Sequence, residues 1–94
     1  ILTNEDPYDE DPRSILNAMK SGMETKDPTI ILDRREAIRE ALSRAKNIGK
    51  AAAVLITGKG TDPFIMGPHG TKTPWSDKKV VEEELMKLEK GLNV

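Results

Sequence analysis

Apolar residues recur at helical spacing in three segments of this chain, and each segment follows an Asp or Ser that can cap a helix. We therefore predict three helices, which begin near Pro12, Arg34 and Asp77. The apolar residues assigned to their buried faces are Ile15, Leu16, Met19 and Met23 in the first helix, Ala37, Ile38, Ala41, Leu42 and Ala45 in the second, and Val80, Val81, Leu85 and Leu88 in the third.

Short apolar, β-prone stretches lie between the helices and at the start of the chain, at residues 1–3, 29–32 and 51–57. The order strand, helix, strand, helix, strand, loop, helix is typical of a parallel sheet with right-handed crossovers. The continuous apolar run at 51–57 predicts a strand that is covered on both faces. A Pro- and Gly-rich segment at 63–74 predicts a small hairpin. The fold class is α/β, and because three strands make a poor sheet by themselves, we expect N-terminal strands to be missing.

The composition narrows the classes of function. Charged residues make up 33% of the chain with a net charge of -1, so the basic excess of a nucleic-acid-binding protein is lacking. The absence of cysteine excludes disulfides and thiolate metal sites. The longest apolar run is far too short to span a bilayer, and the acidic residues near the start do not resemble a signal peptide. We expect a cytoplasmic domain without nucleic-acid or membrane partners.

Carboxylates are concentrated in two of the loops that follow the predicted strands. Glu5 and Asp6 follow the first strand and Asp62 follows the third, and in an open parallel sheet such loops meet at one edge. This cluster suits a cationic ligand, either an ammonium group or a metal ion, but the same residues are also common in solvated turns. His69 is the only histidine, so we predict no metal site and no catalytic residue in this chain.

Two further features have simple structural interpretations. The sequence Gly58-Lys59-Gly60 suggests a phosphate-binding loop, but the full spacing of that motif is missing. A tight turn that lets a substrate approach the strand end is the better interpretation. The acidic run at 82–84 is expected to form the solvent face of the last helix.

Four segments resemble, in the same order, the motifs of the Mur ligases. They are T-N-E-D-P-Y at 3–8 (D-N-P-R in the family), D-R-R-E-A-I at 33–38 (D-R-x-x-A-I), L-I-T-G-K-G at 55–60 (A-G-K-G-H-E) and W-S-D-K-K-V at 75–80 (F-S-D-R-x-V). Within the family, the resemblance is most specific for the ligases that add the third amino acid of the peptidoglycan stem peptide.

The resemblance implies that residues 1–94 are the Rossmann-like C-terminal domain of a three-domain enzyme, incomplete at its N-terminus. This domain would bring in the amino acid. The absent central domain would hold ATP and magnesium, and the absent domains would bind the UDP-N-acetylmuramoyl dipeptide. The reaction would form an acyl phosphate and then an amide, and this chain alone would be inactive.

The resemblance also assigns the contacts with the incoming amino acid. Glu5, Asp6 and Tyr8 stand at the positions of D, N and R in the family tetrapeptide, Gly58 matches the glycine of the strand-loop motif, and Asp62 replaces its glutamate. Ligases that use meso-diaminopimelate carry an arginine at the Tyr8 position, where it grips the distal carboxylate. The tyrosine therefore favours L-lysine or a similar diamino acid.

Two alternatives to this assignment are kept. One is a non-catalytic small α/β binding module in which the loop acids are ordinary turn residues. The other is a different Mur-type ligase, such as a relative of the folylpolyglutamate synthetases.

Overall fold

The computed structural model describes residues 1–48 and 50–91, and it contains three helices and one small sheet. The helices are α1 (Pro12–Ser21), α2 (Arg34–Asn47) and α3 (Asp77–Glu89). The strands are β1 (Phe64–Met66) and β2 (Lys72–Pro74), joined through a short 3-10 turn at Pro68–Gly70. The predicted starts of all three helices and the predicted hairpin are confirmed. The predicted end of α2 at Gly49 lies outside the described residues.

Each helix begins where a side chain satisfies an otherwise unpaired backbone N–H group of the first turn. Asp11, Asp33 and Ser76 accept these hydrogen bonds at 3.1, 3.4 and 3.2 Å, respectively. Such a cap contributes about 1 kcal/mol to the stability of a helix. The positions of the helix starts are therefore encoded locally, within four residues of sequence.

The hydrophobic core lies between α2 and α3. Ile38 and Leu42 of α2 pack with Val80 and Leu88 of α3. Partly buried residues surround this group: Val54, Ile56, Trp75 and Val81. The apolar faces predicted for these two helices are confirmed, except that Leu85 is exposed.

The first helix is less buried than its apolar spacing predicts. In α1 only Leu16 is buried, and Met19 is 48% exposed. Met23 lies beyond the end of the helix and is 39% exposed. No helix in residues 1–48 or 50–91 is long and apolar enough to cross a membrane.

The three-stranded parallel sheet predicted from the sequence is not formed in the described residues. The first two stretches meet in one parallel bridge, Leu2 with Ile30, where the Leu2 N–H donates to the Thr29 carbonyl at 2.8 Å. Residues 51–57 do not form a strand. The only ladder of several residues in the described part is the antiparallel pairing of β1 with β2.

The surroundings of the 51–57 stretch correct the prediction that it is covered on both faces. Val54 and Ile56 pack against the core, but Leu55 between them is 87% exposed. One face is therefore covered and the other is open, contrary to the predicted burial of both faces. Apolar side chains are enough to pack a segment against the core. A strand also requires a neighbouring backbone that forms matching hydrogen bonds.

The acidic run at 82–84 is not entirely a solvent face, which corrects a second expectation. The Glu84 side chain is 0% exposed and accepts hydrogen bonds from Arg39 Nε at 2.7 Å, Arg35 Nη1 at 2.8 Å and Lys87 Nζ at 3.2 Å. The bond from Arg39 is the main cause that lowers the pKa of Glu84 to about 2, and it outweighs the effect of burial. The ion cluster thus links α2 to α3 beside the hydrophobic core.

Candidate functional site

Arg34, the first residue of α2, joins the ends of two extended segments to the start of α3. It is 3% exposed, and its Nε and Nη2 atoms donate to the two carboxylate oxygens of Asp77 at 2.8 and 2.9 Å. Its Nη1 donates to the Asn4 carbonyl at 3.3 Å and its Nη2 to the Thr57 carbonyl at 3.0 Å. The loops after residues 1–3 and 51–57 therefore lie at one edge, as the sequence predicted.

Asp77 is the anionic partner that offsets the energetic cost of burying the Arg34 charge. The hydrogen bond from Arg34 is the main cause that lowers the pKa of Asp77, against the opposing effect of burial. The Trp75 Nε1–H also donates to Asp77, at 2.7 Å. Trp75 thus packs against the core beside α3, and its polar atom helps to fix the Asp77 carboxylate.

The Lys59 side chain is 0% exposed and forms the second centre of the site. Its Nζ donates to both carboxylate oxygens of Asp6 at 2.8 Å, to Asp62 Oδ2 at 3.0 Å, and to the Phe64 carbonyl. Burial is the largest single influence and acts to lower the pKa of Lys59, but the hydrogen bonds to Asp6 and Asp62 outweigh it and the pKa is raised. The lysine is therefore charged and fully engaged.

Asp6 is held equally firmly. Its Oδ1 also accepts the Met66 N–H at 2.8 Å, which fastens β1 to the loop after residues 1–3. Burial acts to raise the pKa of Asp6, and the hydrogen bonds from Lys59 and Met66 reverse this effect, so the pKa is lowered. Asp6 and Asp62 are thus brought together as predicted, but the cation between them belongs to the chain itself.

Glu5 lies next to this ion cluster and differs from it. Its side chain is exposed, and within residues 1–48 and 50–91 no hydrogen bond or ion pair engages its carboxylate. The carboxylate packs against the backbone of Gly58, where a Cβ atom would overlap it. Gly58 also has φ 105°, which side chains rarely adopt. The group that approaches Gly58 closely in the structure is the Glu5 carboxylate, and the approach of a substrate to this glycine stays a prediction.

Tyr8 lies at the rim of the same edge. Its backbone is left-handed with φ 53°, an unusual conformation for a bulky residue, and its side chain is 55% exposed. The Tyr8 N–H donates to the Met66 carbonyl at 3.2 Å, so the hairpin holds this conformation in place. Strained backbone of this kind is concentrated at ligand-binding sites.

The sequence of the chain is similar to those of known proteins over most of its length. No protein-family model matches the chain. It is 42% identical over 86 residues to the UDP-N-acetylmuramoyl-L-alanyl-D-glutamate--2,6-diaminopimelate ligase of Aquifex aeolicus, an alignment that covers 90% of this chain. It is 36% identical over 94 residues to the UDP-N-acetylmuramyl-tripeptide synthetase of Lacticaseibacillus paracasei, and 41% identical over 88 residues to the protein of the same name from Lactobacillus acidophilus. The chain is a homologue of the Mur ligases.

The alignments cover 97% and 92% of the chain for the two synthetases, but only 16–17% of the length of these three relatives. The chain thus spans about one sixth of the Mur ligases that it matches. The motif resemblance and the alignment agree on the same group, the ligases for the third residue.

The resemblance to Mur ligases implies ATP and magnesium for the whole enzyme, but the residues that the structure describes do not form a site for either group. The Lys59 ammonium, the one cation of the Gly58-Lys59-Gly60 turn, is buried and directed at Asp6 and Asp62, so it does not face a phosphate. In the described ranges, no group of three or more His, Asp or Glu side chains is arranged to hold a metal ion. His69 has a left-handed backbone, and its N–H donates to Asp9 at 2.7 Å.

Sequence reasoning missed the structural roles of Arg34, Lys59 and Asp77 in this Mur ligase homologue. Each of them lies inside one of the quoted family motifs, so a signal was present. A charged residue that recurs in a motif at the start of a helix or after a strand is a candidate for a buried ion pair between loops. The single sequence did not reveal which acid each cation would meet.

Proposed function

We propose that this chain is part of the amino-acid-binding, C-terminal domain of an ATP-dependent ligase. The whole enzyme would add the third amino acid to UDP-N-acetylmuramoyl-L-alanyl-D-glutamate, a peptidoglycan precursor. The observation that carries the proposal is the identity of 36–42% to ligases so named, over nine-tenths or more of this chain. The convergence of the loops at residues 4–8 and 57–62 on one edge, where the matched motifs lie, supports it.

The proposed amino-acid site consists of Glu5, Asp6, Tyr8, Gly58 and Asp62. Arg34 and Lys59 hold the backbone and the side chains of these loops in place. In this proposal the chain binds and orients the amine nucleophile near an activated carboxyl group. Holding two reactants in a suitable geometry is itself a large contribution to the rate of such a reaction.

Nucleotide chemistry belongs, in this proposal, to other parts of the whole ligase. The glutamyl carboxylate would be activated there by a phosphoryl group that ATP would supply in the presence of magnesium. The reaction would take place in the cytoplasm, where ATP and the UDP-linked precursor are present. Residues 1–3, 29–32 and 51–57 would be parallel strands of a larger Rossmann-like sheet, which the single parallel bridge from Leu2 to Ile30 favours.

We propose L-lysine, or a similar diamino acid, as the incoming substrate. Lys59 contacts Asp6 and Asp62, but its single positive charge offsets only one of the three negative charges of Glu5, Asp6 and Asp62. The edge therefore keeps an excess of negative charge that suits a side-chain amine. Tyr8 offers a hydroxyl group but no positive charge to the second carboxylate of meso-diaminopimelate. A charge-assisted pair with arginine is about twice as strong as a neutral hydrogen bond.

The test is release of ADP by the full-length protein in the presence of ATP, magnesium and the UDP-linked dipeptide. Release that depends on L-lysine is expected, with a higher kcat/KM for L-lysine than for meso-diaminopimelate. The absence of any amino-acid-dependent release would favour the non-catalytic binding module. Release with a folate or glutamate substrate instead would favour the folylpolyglutamate synthetase relative.

A further inference from the structure

Lys59 is a buried cation that joins three separate parts of the chain. It contacts the loop at 4–8 through Asp6, its own loop through Asp62, and β1 through the Phe64 carbonyl. Its side chain is 0% exposed, so a ligand cannot reach its ammonium group. Removing a partner from a buried ion pair leaves an uncompensated charge and is strongly destabilising. The lysine therefore acts through the groups that it holds.

The hairpin depends on the same contacts. Asp6 accepts the Met66 N–H, and the Tyr8 N–H donates to the Met66 carbonyl, so two bonds from one residue of β1 enclose the loop between Asp6 and Tyr8. The Asp62 Oδ1 also accepts the Phe64 N–H at 3.4 Å. Lys59 fixes Asp6 and Asp62, and the bonds of these two acids to β1 fix the hairpin. The hairpin in turn fixes Tyr8 through the Met66 carbonyl.

These contacts hold the residues before and after Glu5 in the sequence, but they do not hold the Glu5 carboxylate itself. The carbonyl of the preceding Asn4 accepts from Arg34, and the side chain of the following Asp6 is held by Lys59. Across the described residues, no cation pairs with Glu5. An exposed carboxylate with a fixed backbone and no internal partner is suited to receive an ammonium group from outside.

We propose that Lys59 is a positioning residue of the amino-acid site, which holds the Asp6 and Asp62 carboxylates and leaves Glu5 to meet the side-chain amine of the incoming amino acid. The inference rests on the proposed function. Without the lysine, carboxylates from two loops repel each other and separate, because like charges a few ångströms apart are unfavourable away from bulk water. Glu5 and Tyr8 then lose their fixed positions.

The experiment uses the full-length ligase with Lys59→Met, which keeps most of the side-chain volume and removes the charge. We expect the KM for L-lysine to rise by about tenfold or more, since small displacements of binding groups have effects of this size. The KM for ATP should stay unchanged. The matched control is Lys26→Met, the same substitution at an exposed lysine between α1 and the 29–32 stretch, which should leave both constants unchanged.

A second variant distinguishes the loss of the Lys59 charge from a general loss of folding. In Lys59→Ala, propylammonium chloride can fill the vacated space and restore the positive charge. It should lower the KM for L-lysine toward the native value, whereas propanol at the same concentration should not. Thermal unfolding of each variant, followed by circular dichroism, reports folding separately.

Two results would overturn the inference. One is a Lys59→Met enzyme with the native KM for L-lysine, and the other is a parallel rise in the KM values for L-lysine and ATP, which would indicate a purely structural role. A wild-type protein with no amino-acid-dependent ADP release would instead overturn the proposed function, on which this inference rests.

Discussion

Replacing Glu84 with Gln should weaken the contact between α2 and α3 by about 2 kcal/mol. The native pKa of about 2, set mainly by the hydrogen bond from Arg39, lies below the ordinary value of 4.5. At about 1.4 kcal/mol per pKa unit, this difference corresponds to roughly 3 kcal/mol. The partners Arg35, Arg39 and Lys87 are 32%, 36% and 46% exposed, so solvent screening reduces the expected effect.

The pH dependence of this effect follows from the sign of the shift. Because the folded-state pKa of Glu84 is lowered, the stabilisation is complete above pH 4.5 and is lost as the pH falls toward 2. Wild-type protein and Glu84→Gln should therefore differ at neutral pH and converge in acid. Glu83→Gln is the matched control, because Glu83 is 43% exposed and its one ion pair, with Arg35, is 3.5 Å long.

The assay is hydrogen exchange of the backbone amides of α2 and α3 in the whole protein, which reports the free energy of local opening. Glu84→Gln should accelerate exchange in both helices, and Glu83→Gln should change the opening free energy by less than about 0.5 kcal/mol. Equal exchange rates for the two variants at neutral pH would refute the idea that the buried carboxylate stabilises the helix pair.

Three further predictions concern the candidate site. Tyr8→Arg in the full-length enzyme should raise kcat/KM for meso-diaminopimelate relative to L-lysine, because the guanidinium can pair with the second carboxylate; Tyr8→Phe is its control, and an unchanged preference would show that Tyr8 is not the selector. Gly58→Ala should raise the KM for the amino acid, because the added methyl group overlaps Glu5. Its control, Gly60→Ala, also has positive φ but faces open space, so unfolding measurements should show only the backbone cost of about 1 kcal/mol. Equal effects of the two variants would contradict the overlap. Arg34→Lys should lower the free energy of unfolding by about 2 kcal/mol in denaturant titrations, because a lysine cannot form the paired bonds to the carboxylate, and a native value would refute this role.

The helices were predictable because their signals are local. A cap such as Asp33, followed by apolar residues at helical spacing, fixes the start and the buried face of α2 within a few residues. The parallel sheet was not predictable in the same way. Residues 51–57 have the composition of a strand, but whether they become one depends on a backbone far away in sequence that must lie alongside.

The candidate site was predictable in its location and not in its electrostatics. The expectation that the loops after residues 1–3 and 51–57 meet placed Asp6 and Asp62 close together correctly, and it placed Glu5 beside Gly58 of the second loop. The sequence did not reveal that Lys59 turns inward to satisfy two of these acids. For the same reason the run at 82–84 was assigned to solvent, since nothing in the run itself indicates that two arginines of α2 face Glu84.

The bonds of Arg34 have a consequence for the order of folding. Its partners Asn4, Thr57 and Asp77 are 30, 23 and 43 residues away in sequence, so every one of these bonds closes a long loop. Loop closure costs entropy before the contact returns any stabilisation, and contacts between distant residues therefore form late. The helices can begin to form from their own caps, whereas the edge that would receive the amino acid is completed only when all three segments have arrived. Arg34 thus makes the completion of this edge depend on three segments that are distant from one another in sequence.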